Sequence, residues 1–280
     1  MAFKKLSDLL LPEQTLFALP FAWLGVVFAG GGSARTWLLV TLALAAARAA
    51  GMAFNRAIDA RIDALNPRTK DRAIPRGEVK VWEAAALGVI SSLVLIGSSY
   101  LLNPLCFHLS FFAVALLAGY SYFKRFSAAS HLCLGVTEAA APIGGYLAIA
   151  GRFDLLSLAL GSAILFWIGG MDMVYAMQDA DFDRREGLHS VPVRFGSRAA
   201  LALSAACYAL ALAALAAAGA LRGMDRTYWA ALVFVAGVFA YQQKQARGPD
   251  INAAVRRILK VNIYISPALL AGALLDKVMR

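Results

Sequence analysis

The chain has 280 residues, of which 60% are hydrophobic and 16% charged, with a formal net charge of +10 at pH 7. Soluble domains carry roughly a quarter charged residues, so this composition excludes an ordinary soluble enzyme and points to a polytopic membrane protein. The basic residues lie between apolar segments and form no single patch, which fits topological signals and lipid headgroup contact and argues against a nucleic-acid partner.

In chain order, Met1–Glu13 reads as an amphipathic start with no cleavable signal peptide, and about nine apolar spans follow. The first covers about Thr15–Gly31 and the second about Trp37–Phe54. The third and fourth share the uncharged stretch Ala84–Phe123, split at Asn103-Pro104, where a proline cannot continue a helix. The fifth is His131–Ala150, the sixth Leu155–Met177 and the seventh Ala199–Leu221. The eighth, Tyr228–Tyr241, and the ninth, Val261–Leu275, are short for a bilayer. Cys106, Cys133 and Cys207 each sit among apolar residues with no paired spacing, and read as packing residues. The predicted fold is all-α: about nine transmembrane helices around a central cavity, in one domain covering residues 1–280.

Most Lys and Arg residues fall at the N-terminus and in alternate loops. The opposite side holds Arg35, Arg152, Arg222, Arg226, Lys277 and Arg280. This bias places the N-terminus and the longest polar loops in the cytoplasm, and an odd number of spans then puts the C-terminus outside.

The second span closes on Asn55-Arg56-Ala57-Ile58-Asp59-Ala60-Arg61-Ile62-Asp63. If helical pitch continues, Asn55, Asp59 and Asp63 stand four apart on one face. Two carboxylates and an amide make a site for a hard cation, and Mg²⁺ suits it, because it takes few protein carboxylates and completes its shell with water and phosphate. The sixth span closes on Asp179-Ala180-Asp181-Phe182-Asp183, where Asp179 and Asp183 repeat the step and Asp181 points off the stripe. The two runs read as jaws around one diphosphate.

Each jaw has a polar residue seven positions earlier, inside the apolar span: Arg48 before Asn55, and Asp172 before Asp179. Intramembrane charges are costly and usually face a cavity or a partner. Asp172 needs a metal, a proton or a basic partner such as Arg48. Of the basic loop residues, Arg72 and Lys124 stand out as pre-placed cations for a diphosphate leaving group. Glu138, in the fifth span, is a functional candidate without an assigned role, and His108 and His131 read as interfacial hydrogen-bonders. Similar turns follow both jaws, Asp71–Gly77 and His189–Gly196, so helices one to four and five to eight form a possible pseudo-repeat.

Three stretches together resemble the UbiA-type intramembrane prenyltransferases, over nearly the whole chain. Asn55-Arg56-x-x-Asp59-x-x-x-Asp63 with Arg72-Ala73-Ile74-Pro75-Arg76-Gly77 looks like their first signature. Tyr120-Ser121-Tyr122-Phe123-Lys124-Arg125 resembles their tyrosine–lysine element, and Asp172 to Pro192 looks like the second signature. The nearest branch is the 4-hydroxybenzoate polyprenyltransferase-like proteins of quinone biosynthesis. The resemblance implies nine transmembrane helices, Mg²⁺, and transfer of a polyprenyl group from its diphosphate to an aromatic acceptor. By position, Asn55, Asp59, Asp63, Asp179 and Asp183 would hold Mg²⁺–diphosphate, and Arg72 and Lys124 would contact the diphosphate. Arg48 and Arg125 are candidates for the acceptor's carboxylate, and Asp172 or Asp179 for taking the ring proton. Many members carry Asp directly after the Asn, where this chain has Arg56. That makes the first jaw less acidic and raises a dihydroxynaphthoate of the futalosine route to menaquinone as acceptor beside 4-hydroxybenzoate.

The expected setting is the cytoplasmic membrane, with the site facing the cytoplasm and no obligate protein partner. Haem is an alternative acceptor. Two other classes compete: a CDP-alcohol phosphotransferase, which would concentrate its Asp residues in one motif, and a secondary transporter, which would move its substrate without consuming a prenyl diphosphate.

Overall fold

A computed structural model describes residue 9 and residues 12–279, and every regular element among them is helical. The amphipathic start expected over Met1–Glu13 lies mostly outside these residues, as does Arg280. The helices are α1 (Pro12–Phe28), α2 (Ala34–Ile58), α3 (Ala60–Leu65), α4 (Val81–Leu102), α5 (Pro104–Gly119) with a 3₁₀ turn Tyr120–Arg125, α6 (Ser130–Ala150), α7 (Leu155–Ala176), α8 (Ala180–Arg185), α9 (Val191–Arg222), α10 (Arg226–Ala246), α11 (Ile251–Asn262) and α12 (Ile265–Met279).

Seven segments among the described residues are long and apolar enough to cross a membrane: α2, α4, α5 with its 3₁₀ turn, α6, α7, α9, and α11–α12 taken together. The expected nine is not reached by that measure, because α1 is shorter and α10 more polar, yet both pack within the bundle. The ninth span also differs from expectation. The helical segment there begins at Ile251, before the expected Val261, with the amphipathic α11, and the chain breaks at Ile263-Tyr264 before α12. The outward faces are apolar: Leu93 on α4 is 64% exposed, Phe112 on α5 61% and Val233 on α10 73%. Such a surface suits lipid, and helices suit it because all their backbone polar groups are paired internally. The chain is a multi-pass membrane protein.

Local sequence sets the helix starts. Asn103 Oδ1 accepts from Cys106 N (2.9 Å), with Pro104 at the first helical position, so the predicted split of the uncharged stretch is real. Asp154 and Ser157 cap α7 reciprocally, at 2.9 and 3.0 Å. Within α9, Gly196 (φ 82°) separates a first turn from the long span.

The helices pack as neighbours in a circuit: α2 on α4, α4 on α5, α5 on α6, α6 on α7, α7 on α9, α9 on α10, α10 on α12, and α12 on α1. α1 also lies along α6, where the backbones touch. A Cβ on Gly145 would come 1.9 Å from the Ala22 carbonyl oxygen, and one on Gly25 2.1 Å from that of Pro142. Small residues permit that approach where burial of apolar area supplies little attraction between helices. Phe21, Trp167, Tyr208 and Phe239 knit α1, α7, α9 and α10 into an aromatic core. On the other side, α2, α4, α5 and α6 stand around open space.

Candidate active site

The first jaw forms where α2 gives way to the short α3. Asp59 sits at the joint with φ −90° and ψ 4°, slightly off helical values. The backbone ladder nevertheless continues, from Asp59 N to Asn55 O (2.9 Å) and from Asp63 N to Asp59 O (2.7 Å). The four-residue step therefore survives the joint. Asn55 Nδ2 donates to Asp59 Oδ2 (3.1 Å) and to Ser121 Oγ (3.0 Å). Asp59 and Asp63 are buried, at 2% and 5% exposure, and buried carboxylates require partners. Lys124 Nζ donates to Asp59 Oδ2 (2.6 Å), and Arg72 donates to both oxygens of Asp63 (2.8 and 2.7 Å). The other oxygen of Asp59, Oδ1, is buried and accepts no hydrogen bond.

The second jaw repeats this construction at the end of α7. Asp179 has φ −102° and ψ 3°, α8 matches α3 in its six residues, and Asp183 N donates to Asp179 O at 2.7 Å. Its partners come from the loop after the first jaw. Arg68 Nε donates to both oxygens of Asp179 (2.9 and 3.1 Å), and Asn66 Nδ2 donates to Oδ1 (3.1 Å). The Arg68 guanidinium also bonds Tyr175 Oη (2.7 Å) and lies 5.0 Å over its ring. Asp183 makes no ion pair and no side-chain hydrogen bond among the described residues. Burial first, and then Asp179 beside it, push its carboxyl up to about 6.

Asp172 is not paired with Arg48. Its Oδ2 meets Nδ1 of His131 at 2.6 Å, while Nε2 of His131 accepts from Val191 N at 3.1 Å. That acceptance puts the proton of a neutral ring on Nδ1, so His131 donates to Asp172. His131 is therefore a buried member of the site, 2% exposed, and not interfacial. Arg48 instead forms an ion pair with Glu138, from α2 to α6.

These side chains line a polar cavity of about 590 Å³. It brings together Arg48, Asn55, Asp59, Asp63, Arg72, Lys124, Asp172, Asp179 and Asp183, all expected from sequence. Arg125 is the exception. It donates to Ile58 O (2.8 Å), comes within 3.6 Å of Asp59 and covers the Tyr122 ring, and it does not line the cavity. Asp181 faces away, its side chain 94% exposed and paired only with Arg184. Arg56, Asn66, Arg68, Ser121, His131 and Tyr175 join the cavity without having been singled out for it. Arg68 carried one signal, an Asn-Pro-Arg turn just after the first jaw, but nothing in sequence ties it to an aspartate 111 positions away.

A second cavity, of about 360 Å³, runs between α2, α4, α5 and α6 and is lined mostly by aliphatic side chains. The two cavities share Arg48, Met52, Tyr120 and Glu138. A charged space and an oily space thus meet at one ion pair.

The jaws fit Mg²⁺ by donor chemistry. Every candidate ligand offers oxygen, and Asp59 Oδ1 and the Asp183 carboxylate have lone pairs that no protein donor uses. Among the described residues, no three of His, Cys, Asp and Glu converge into a cage for an ion by themselves. Such a site suits a cation whose shell is completed by water and substrate phosphate.

Known proteins share this architecture. A solved UbiA homologue from Aeropyrum pernix K1 superimposes with a TM-score of 0.87 and 31% identity, covering 95% of this chain and 98% of that one. One from Archaeoglobus fulgidus, bound to GPP and Mg²⁺, has the same fold at TM-score 0.76 and 22% identity, covering 97% and 99%. The 4-hydroxybenzoate octaprenyltransferase of Aeromonas hydrophila is 30% identical over 98% of this chain and 93% of its own length. Residues 18–264 match the family model of the UbiA prenyltransferases, and with both jaws and the basic elements in place the chain belongs to the UbiA prenyltransferase family.

Proposed function

We propose that the protein transfers a polyprenyl group from polyprenyl diphosphate to the ring of an aromatic hydroxy acid, 4-hydroxybenzoate or a dihydroxynaphthoate, in ubiquinone or menaquinone biosynthesis. The carrying observation is the meeting of the carboxylate-and-cation cavity with the apolar cavity at Arg48, Met52, Tyr120 and Glu138. A prenyl diphosphate has that polarity: a charged head, an oily tail, and the scissile bond between them. The curated relative's name supplies the acceptor class, and the Archaeoglobus fulgidus complex supports Mg²⁺ and a prenyl diphosphate as ligands. The charge bias supports a cytoplasmic membrane location with the jaws facing the cytoplasm.

Asn55, Asp59 and Asp63 on one side, and Asp179 and Asp183 on the other, would hold Mg²⁺, which supplies positive charge to the diphosphate as the allylic C–O bond breaks. Arg72 and Lys124 stand on the jaw carboxylates and donate to the same developing charge. The aliphatic walls exclude water from the allylic cation. Arg48 carries five N–H donors, enough to hold Glu138 and an acceptor carboxylate together. A ring carbon of the acceptor forms the new C–C bond, and its proton leaves to a carboxylate. Asp172 is the better acceptor of that proton: one oxygen is fixed by His131, whereas both oxygens of Asp179 are engaged by Arg68.

Product mass spectrometry on Mg²⁺-supplied membranes, with a panel of prenyl diphosphates and acceptors, tests the assignment. Prenylated 4-hydroxybenzoate or dihydroxynaphthoate is the expected product. Transfer to neither, with haem or another acceptor prenylated instead, would overturn the acceptor class.

A further inference from the structure

Five Lys and Arg side chains line the polar cavity, and four are held by carboxylates: Arg48 by Glu138, Arg68 by Asp179, Arg72 by Asp63 and Lys124 by Asp59. Arg56 is different. Among the described residues it makes no ion pair and no side-chain hydrogen bond, and its Nε is buried without a partner. The residue is only 7% exposed, and it lines the cavity. A guanidinium keeps its charge, so the cavity holds one buried cation that the protein leaves uncompensated. The carboxylate that acts on it belongs to Asp63, and both oxygens of Asp63 already bind Arg72. Two cations therefore share one anion at this end of the cavity.

We propose that Arg56 is a direct contact of the diphosphate, a cation placed for the non-bridging oxygens of the leaving group. The proposal rests on the prenyl-transfer reading above. Location selects the diphosphate over the acceptor's carboxylate. Arg56 follows Asn55 in the first jaw, eight residues beyond Arg48, about 12 Å along the helix axis. The acceptor belongs at the Arg48–Glu138 end, where the two cavities meet. A diphosphate, with several anionic oxygens, can take N–H donors from Arg56 and Arg72 together.

The test is calorimetric binding of inorganic diphosphate, with Mg²⁺, to the detergent-purified full chain. Arg56→Gln keeps a polar side chain but removes the charge and its outer donors, and should weaken binding about 10- to 100-fold, as loss of a charge-assisted contact does. Arg56→Lys should recover part of the affinity. The KM for prenyl diphosphate should rise while the KM for the acceptor stays put. Arg56→Met is the second variant: an apolar chain that replaces the arginine stem removes an unpaired buried charge, so it should fold at least as stably and show the same binding loss. Wild-type diphosphate affinity in Arg56→Gln or Arg56→Met would overturn the proposal, as would a shift in the acceptor KM alone. Absence of diphosphate binding in the wild type would instead overturn the reading of the cavity, and this inference with it.

Discussion

The two jaws are built alike and loaded differently. Each is a long helix, an aspartate with nearly the same off-helical backbone angles, and a six-residue helix carrying a second aspartate one turn on. In the first jaw both carboxylates are buried and each is locked to a cation, Asp59 to Lys124 and Asp63 to Arg72. In the second, Asp179 is locked by Arg68, which arrives from the loop after the first jaw, and Asp183 has no such partner. The same local geometry thus gives one half whose carboxylates are each ion-paired and one half whose outer carboxylate has no cation and holds its proton more tightly than an ordinary aspartate.

Removing charge from the first jaw should have the largest effect. Asp59→Asn or Asp63→Asn should cut turnover by about 10²-fold or more and also lower the melting temperature, since Lys124 or Arg72 loses its buried partner. Asp183→Asn should cut turnover comparably without lowering the melting temperature, because no cation depends on it and its buried carboxylate is itself unfavourable at neutral pH. Equal thermal losses in the two jaws, measured by unfolding in detergent, would erase the distinction.

Arg68→Ala comes next. It removes the ion pair between the jaws, leaving the Asn66–Asp179 hydrogen bond, and should lower turnover about 10-fold, with a weaker Mg²⁺ response that the first-jaw cations do not restore. Wild-type Mg²⁺ titrations in that variant would show that the link is dispensable.

pH separates the jaws more gently. The Asp183 carboxyl is raised from 3.8 to about 6, so the folded state binds its proton more tightly than the unfolded state does. Its contribution to stability is present below 3.8 and is lost as pH rises through about 6. The metal-free protein should therefore lose melting temperature over that window, and Asp183→Asn should flatten the slope. Mg²⁺ competes with the same proton, so the Mg²⁺ concentration for half-maximal rate should rise as pH falls below about 6. A pH-independent Mg²⁺ requirement in the wild type would place Asp183 outside the metal site.

The smallest effect belongs to Asp181→Asn. Its exposed side chain pairs only with Arg184, and surface pairs of this kind contribute little, so turnover should stay within about 2-fold. A loss matching Asp179→Asn would mean that the second jaw turns differently from the helical step described here.

The jaws were legible because one helical turn is a property of the chain alone, so Asn55, Asp59 and Asp63 could be placed together without any neighbour. Arg72 and Lys124 followed from charge next to those motifs. Partner choice between helices was not legible. Whether Arg48 meets Asp172 or Glu138, and whether Asp172 meets His131, depends on the rotation and offset of packed helices. The split at Asn103-Pro104 was visible because asparagine and proline act locally, whereas the break at Ile263-Tyr264 has no such marker. The apolar cavity escaped for another reason: its lining comes from several spans, each an ordinary aliphatic stretch.

The meeting of the two cavities has a consequence for direction. In the proposed reaction the bond that breaks lies at the border between a charged compartment and an oily one. Before the cut, head and tail are tethered across that border. Afterwards the diphosphate is freely soluble in water, and the prenylated ring is anchored by its tail in the bilayer. The products then diffuse in different phases, one in three dimensions and one in two. Their chance of re-encounter falls accordingly, and partitioning itself works as a ratchet that favours the forward transfer.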